Sequence, residues 1–313
     1  MSLISPTRGT EKWSKGGWAM RKLCLCLSLL GLCGALFTSG APAYAATTPA
    51  LSCAWQHGGS GGGWADLNAD YWITQFTVQA DLTITVHGSF PDARYFSLTA
   101  YNAFGATNTA NSLHDSQIVP DADGNYTITV THGSGVNTIP FPNVLNGSMG
   151  FLIFRAYLPV GTVPLPSITF TTSAGSVTDD GCAASAAGWY SGLFNAPDIT
   201  YVRMNPPFPY GTTVTVITGQ APTQVSYWSW CSYLWTGAPV GCLYDANISV
   251  SNGYYHIVIG QPLQKNAIVA AGYTYLQFAG TVMLRNLVGN QTTGAFAPVI
   301  KSCAISDATC ITG

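Results

Sequence analysis

The chain writes one β-rich course twice, and this repeat limits its fold more than any other feature. Tyr95-Phe96-Ser97-Leu98 recurs as Tyr227-Trp228-Ser229-Trp230, 132 residues later. His114-Asp115 recurs as Tyr244-Asp245 at a separation of 130. Tyr126, Ile128 and Val130 recur as Tyr255, Ile257 and Ile259 at 129, and the apolar run that opens at Gly150 returns at Gly280, again at 130. So small a drift places insertions in loops and leaves strands intact. Matched positions in one order point to a duplicated unit rather than to the strand grammar of any β protein.

The period of the pattern says what the unit is. Leu82, Ile84 and Val86 alternate with Thr83 and Thr85, and Tyr126, Ile128 and Val130 with Thr127 and Thr129. Period two marks a half-buried strand. Asp121-Ala122-Asp123-Gly124 and Asn252-Gly253 are hairpin signals. No long 3.6-residue period occurs. The expectation is an all-β chain of two tandem homologous antiparallel β-sandwich domains, jelly-roll-like, over residues 46–176 and 177–313. Residues 1–45 read as a leader, with Arg21-Lys22, the apolar run Leu23 to Phe37, and a small-x-small site at Ala43-Tyr44-Ala45. The run is short for a span of roughly 20 residues, so no membrane span is expected in the mature chain.

Beyond the leader the chain carries six basic residues and twelve Asp, with no Glu, so the formal balance is 6 minus 12, or −6. That excludes nucleic acid, whose binding needs Lys and Arg on phosphates, and an anionic membrane surface. It suits a secreted protein that meets neutral glycans or other protein surfaces. Six Cys remain, an even number that implies three disulfides in an oxidising compartment. Cys231 and Cys242 replace Thr99 and Ser112 of the first copy together, as a bridge requires. Cys53, Cys182, Cys303 and Cys310 leave three connectivities open, of which Cys303 with Cys310 is the simplest by proximity. No Cys/His spacing fits zinc, and no metal or other cofactor is expected.

Two arginines, Arg155 and Arg285, sit at equivalent positions inside apolar strands. A buried guanidinium needs partners or it costs several kcal/mol. The matched acids predict two structural ion pairs, Arg155 with Asp115 and Arg285 with Asp245. His114 and Arg94 belong to the first copy alone, since Tyr244 and Ser226 replace them in the second. They mark a site in the first domain, with His114 and Asp115 as acid–base residues and Arg94 as a ligand-gripping residue. The competing reading is an ordinary loop histidine. Glycoside cleavage would need a second carboxylate, from Asp66, Asp70 or Asp92, folded beside Asp115. His57, His87 and His132 have no ligand spacing. The Gly-rich run Gly58 to Gly63 lacks a following Lys and the strand-loop-helix setting of a phosphate cradle. No GxSxG occurs. Trp228, Trp230 and Trp235 make a sugar platform if exposed, and core or interdomain packing if not.

The segments PDARYFSLTAYN, SLHDSQIVPDADGNYTITV, GFLIFRAYLP and YWSWCSYLW, with VGCLYD downstream, resemble a loosely characterised group of secreted bacterial proteins. That group is distantly similar to a β-sandwich domain of unknown function with an Arg-Tyr-Trp-Ser strand and a later Asp. The resemblance implies the fold and carries no chemistry. Ser226 departs from its Arg-Tyr pattern. The functional expectation is a secreted or cell-surface protein that binds a neutral carbohydrate or a protein partner. The alternatives are an extracellular glycan hydrolase or lyase with its site in the first domain, and a structural subunit of a surface assembly.

Overall fold

The two strands that carry the repeat, Ala93–Asn102 and Tyr227–Tyr233, take equivalent places in two sheets. The computed structural model of the protein describes residues 53–58, 64–102, 107–142, 145–181, 183–185, 196–287 and 298–312. The expected leader, Cys182 and most of the Gly-rich run lie outside them. The described residues pack as one compact unit.

The first half holds β1 (Trp55–His57), β2 (Ala69–Thr77), β3 (Thr83–Ser89), β4 (Ala93–Asn102), β5 (Ser112–His114), β6 (Asn125–Thr131), β7 (Thr138–Pro140), β8 (Met149–Pro159), β9 (Ser167–Thr172) and β10 (Gly175–Asp179). The link to the second half carries β11 (Ala183–Ser185). Then come β12 (Ile199–Met204), β13 (Thr213–Gln220), β14 (Tyr227–Tyr233), β15 (Pro239–Tyr244), β16 (Val250–Ser251), β17 (Tyr254–Gly260), β18 (Thr274–Gln277), β19 (Thr281–Leu287) and β20 (Val299–Ala304). Two short helices, α1 (Lys265–Ala270) and α2 (Ala308–Thr312), complete the described chain. No described helix is long and apolar enough to cross a membrane.

The strands form four sheets, ordered β11-β1-β2-β8-β4-β5, β10-β9-β3-β6-β7, β12-β19-β14-β15 and β16-β17-β13-β20, with β18 also on β17. The sequence repeat has its counterpart in these orders. β2-β8-β4-β5 matches β12-β19-β14-β15, and β9-β3-β6-β7 matches β20-β13-β17-β18. Polarity agrees as well, since β7 runs parallel to β6 and β18 parallel to β17.

In the first half one apolar cluster draws on both sheets, with Trp72, Phe96, Leu98 and Phe154 from the large sheet and Ile84, Val86, Ile128 and Ile168 from the small one. The second half repeats this with Trp228, Trp230 and Leu284 against Ile217, Ile257 and Ile259. Alternation explains the arrangement: every second residue of a strand enters its own half. The other residues of the large sheets turn toward the opposite half, where Tyr95 and Tyr157 pack with Tyr227 and Leu287.

Strands β2 and β12 escape the alternation test. In β2 Tyr71, Trp72, Ile73 and Thr74 are buried in succession, because both faces are covered. A strand covered on both sides loses its period.

Candidate functional site

Register places the polar residues. Arg155 on β8 lies opposite Ser97 on β4 and Tyr71 on β2. Arg285 on β19 lies opposite Ser229 on β14 and Tyr201 on β12. Tyr71 and Tyr201, like the two arginines, are 130 residues apart. Both arginines are buried, between aromatic faces: Arg155 at 6.0 Å from Tyr71 and 5.4 Å from Tyr101, Arg285 at 5.8 Å from Tyr201 and 5.4 Å from Tyr233. Such contacts favour a desolvated guanidinium, though not enough to replace hydrogen bonds.

The centre of the seam between the large sheets is Asp66, which is 0 % exposed. Its carboxylate accepts from Ser229 Oγ at 2.5 Å, from Tyr227 OH at 2.9 Å, and from the Asn68 backbone and side-chain amides at 2.9 and 3.0 Å. Arg285 Nη1 stands 3.9 Å away, and Arg285 Nη2 donates to the Trp64 carbonyl. Tyr233 OH donates to the Ala65 carbonyl at 3.0 Å. Segment 64–68 of the first half thus serves the sheet of the second. Burial pushes the Tyr71, Tyr157 and Tyr227 hydroxyls up, so they remain protonated donors.

The converse contact exists. The Asp66 amide donates to Tyr71 OH at 3.0 Å, and the Ala196 amide to Tyr201 OH at 3.2 Å. Asn68 Nδ2 donates to Tyr227 OH at 3.1 Å, while Tyr95 OH donates to Asp198 Oδ2. Ala196 and Asp198 follow Asp66 and Asn68 by 130 residues. Each half reaches across with the same segment, as an isologous dimer interface does. Asp198 is enclosed, and burial pushes its carboxyl up to about 6.

The two expected ion pairs do not form. Arg155 has Thr99 Oγ1 at 3.1 Å and the Tyr101 hydroxyl at 2.6 Å among its partners. Asp115 instead accepts from the Ser116 amide at 2.7 Å. Arg285 takes Asp66, and Asp245 takes Arg94 in a two-pronged contact of 2.6 and 2.6 Å. The strand ends are the reason. His114 and Tyr244 pair with Ser97 and Ser229 and so share the arginines' face. Asp115 and Asp245 come one residue later, past the ends of β5 and β15, where each opens a 3-10 turn and its carboxylate accepts from the next backbone amide. Asp66 carried a signal that spacing alone misses: an acid just ahead of β2, with no carboxylate at its repeat position, Ala196.

The first-domain candidates do not gather in an open cleft. His114 is 6 % exposed and stacks on Tyr95 at 6.0 Å. Its Nδ1 lies 3.1 Å from Ser116 Oγ and 3.6 Å from Asp115. Arg94 is committed to Asp245 and lies 6.0 Å from the Tyr227 ring. Of the carboxylates proposed to assist Asp115, Asp66 is sealed in the seam and Asp70 faces His57 at 3.6 Å.

The tryptophans divide. Trp228 and Trp230 are buried in the second core, 5.2 and 6.1 Å from Tyr255, so they form no sugar platform. Trp235, on the turn after β14, is 88 % exposed. Exposed Leu234 precedes it. Exposed Phe208, on the loop after β12, packs on Phe278 at 5.1 Å. Exposed Tyr210 continues the same loop.

Cys231 pairs with Cys242 and Cys303 with Cys310; Cys53 is also disulfide-bonded. Asp66 approaches the sulfurs of Cys231 and Cys242 closely enough for a three-ligand metal set, but these sulfurs are joined to each other and offer no thiolate.

No protein-family model matches the chain, and no curated protein matches it. Among solved structures it is similar to a putative uncharacterized protein from Burkholderia cenocepacia, at 11 % identity and a TM-score of 0.56, over 80 % of this chain and 82 % of that one. It is also similar to the VPA0106 protein from Vibrio parahaemolyticus, at 11 % identity and a TM-score of 0.47, over 80 % and 92 %. The Burkholderia likeness is one of fold: this chain folds like an uncharacterised bacterial protein of similar extent.

Proposed function

We propose that the protein is a secreted, non-enzymatic binding protein that takes a neutral carbohydrate at the end of the second half where Trp235 projects. Each half is in this reading a two-sheet sandwich, of the secreted bacterial kind that its strand motifs resemble. The observation that carries the reading is the exposed indole of Trp235, next to exposed Leu234 on the turn after β14. Water-exposed rings on a turn gain by covering the apolar faces of sugar rings, and they need no charge to do so. The disulfides and the leader-like segment favour an oxidising compartment. The enclosed His114 and the engaged Arg94 give a hydrolase or lyase little to work with.

The test is binding to an array of neutral glycans. The wild type is retained, Trp235→Ala binds about ten-fold more weakly, a loss of about 1.4 kcal/mol, and His114→Ala binds as the wild type does. Equal binding by Trp235→Ala, or no retention on any neutral glycan, defeats the reading.

A further inference from the structure

We infer that the contact between Asp198 and Tyr95 is a pH-sensitive latch of the seam: in acid it fastens residues 196–201 of the second half onto the first half, and near neutrality it loosens them. Tyr95 OH, on β4, donates to Asp198 Oδ2, so the contact joins the two halves directly. Asp198 is half-buried, yet its Oδ1 is shut off from water and has no hydrogen-bond partner among the described residues. An ionised carboxylate held this way keeps one oxygen dry and unpaired, which is costly. The neutral acid is far cheaper to enclose. The repeat equivalent differs in kind. Asn68 takes the same place in the first half, donates to Tyr227 OH at 3.1 Å, and carries no charge at any pH.

No paired cation offsets the cost. Among the described residues no Arg, Lys or His forms an ion pair with Asp198. The groups that face it are phenols, Tyr95 from β4 and Tyr201 from β12, with Tyr157 of β8 and Tyr227 of β14 in the same cluster. The Tyr201 hydroxyl also feels Arg155 and Arg285. Arg94, near Tyr227, is held by Asp245. His114, on β5, stacks on Tyr95 at 6.0 Å, and Asp115 lies 3.6 Å from its Nδ1. Burial accordingly pushes the Asp198 carboxyl up to about 6. The fastened segment holds this proton more tightly than the released one. Its gain is complete below pH 3.8 and is lost as pH rises through 6. A latch also needs a part that can open alone. Ala196 and Ile199 pack on the seam tyrosines, in a cluster separate from the two cores.

Hydrogen–deuterium exchange of the whole protein tests this, at about pH 7.5 and about pH 5, with rates corrected for the intrinsic chemistry of exchange. At the higher pH residues 196–201 should exchange faster than the core strand Asn125–Thr131. At the lower pH they should slow about ten-fold, the ratio that carboxyl values of 3.8 and about 6 set between the two conditions. Asp198→Asn should show no such change, and His114→Gln should keep it. Equal rates at both pH values overturn the inference. Exchange as slow as that of Asn125–Thr131 overturns it as well, because no part then opens alone. The same change in Asp198→Asn, or its loss in His114→Gln, also overturns it and assigns the sensor to another group.

Discussion

At four places around the seam the two halves hold different residues in one geometry. Thr99 and Ser112 meet through hydroxyls at 2.8 Å where Cys231 and Cys242 share a disulfide. Asp66 stands where the second copy has Ala196, Asn68 where it has Asp198, and Arg94 where it has Ser226. The backbone is indifferent to these exchanges: the same strands pair in the same register. The repeated strand order therefore keeps one scaffold, and the differing residues redistribute charge and cross-links within it. Arg285 has the Asp66 carboxylate near it, and Arg155 has a hydroxyl and a phenol among its partners.

The strongest way to break this comparison is Asp66→Ala. Arg285 would remain buried without its carboxylate, and Ser229 and Tyr227 would lose their acceptor. A loss of about 3–5 kcal/mol is expected in urea unfolding. A loss under about 1 kcal/mol would mean that the aromatic faces and the Trp64 carbonyl hold the guanidinium unaided.

Asp198→Asn copies Asn68 into the second half. The Asp198 carboxyl is raised from 3.8 to about 6 by burial. The folded state then binds this proton more tightly than the unfolded one. Its contribution is most favourable below pH 3.8 and is lost as pH rises toward 6. The variant should therefore gain on the order of 2–3 kcal/mol at pH 7. The wild-type-minus-variant difference should shrink between pH 6 and 4. A flat difference would show that Tyr95, which donates to the carboxylate, compensates the burial.

Cys231→Thr with Cys242→Ser rewrites the second half as the first. Opening an 11-residue closure costs about 2–3 kcal/mol, and the restored hydroxyl pair returns about 1. A net loss of about 1–2 kcal/mol in denaturant unfolding is expected, with the far-ultraviolet spectrum of the sheet unchanged.

The fold was legible wherever a strand had one wet face. Leu82 to Val86 and Tyr126 to Val130 show their period because threonines alternate with their apolar residues. The Cys231–Cys242 bridge was legible for a related reason, since two positions changed together between copies that share a register. Ala69–Thr77 and Ile199–Met204 were not, because the seam buries or half-buries the face that would have been polar. The ion pairs failed on the same point. Spacing said which residues correspond, but only strand direction says which residues face one another, and Asp115 and Asp245 fall past the ends of β5 and β15, in turns. Burial of Trp228 and Trp230 also depends on direction, since aromatic content is the same for a platform and for a core.

The finest distinction is at the two outer corners of the seam. At one, Tyr227 and Tyr244 stack at 6.4 Å and Arg94 grips Asp245. At the other, Tyr95 and His114 stack at 6.0 Å beside Asp115, and Ser226 stands at the arginine's position. Ser226→Arg should complete the second corner. The Arg94–Asp245 pair is partly exposed, with side-chain exposures of 39 % and 17 %, so water screens much of its attraction. The gain should accordingly be small, about 0.5–1 kcal/mol, and smaller in high salt. A double-mutant cycle with Asp115→Asn isolates it: the coupling should vanish when the carboxylate is removed. If Ser226→Arg stabilises equally with Asn at 115, the new side chain acts by packing, and the two corners are equivalent in backbone but not in charge.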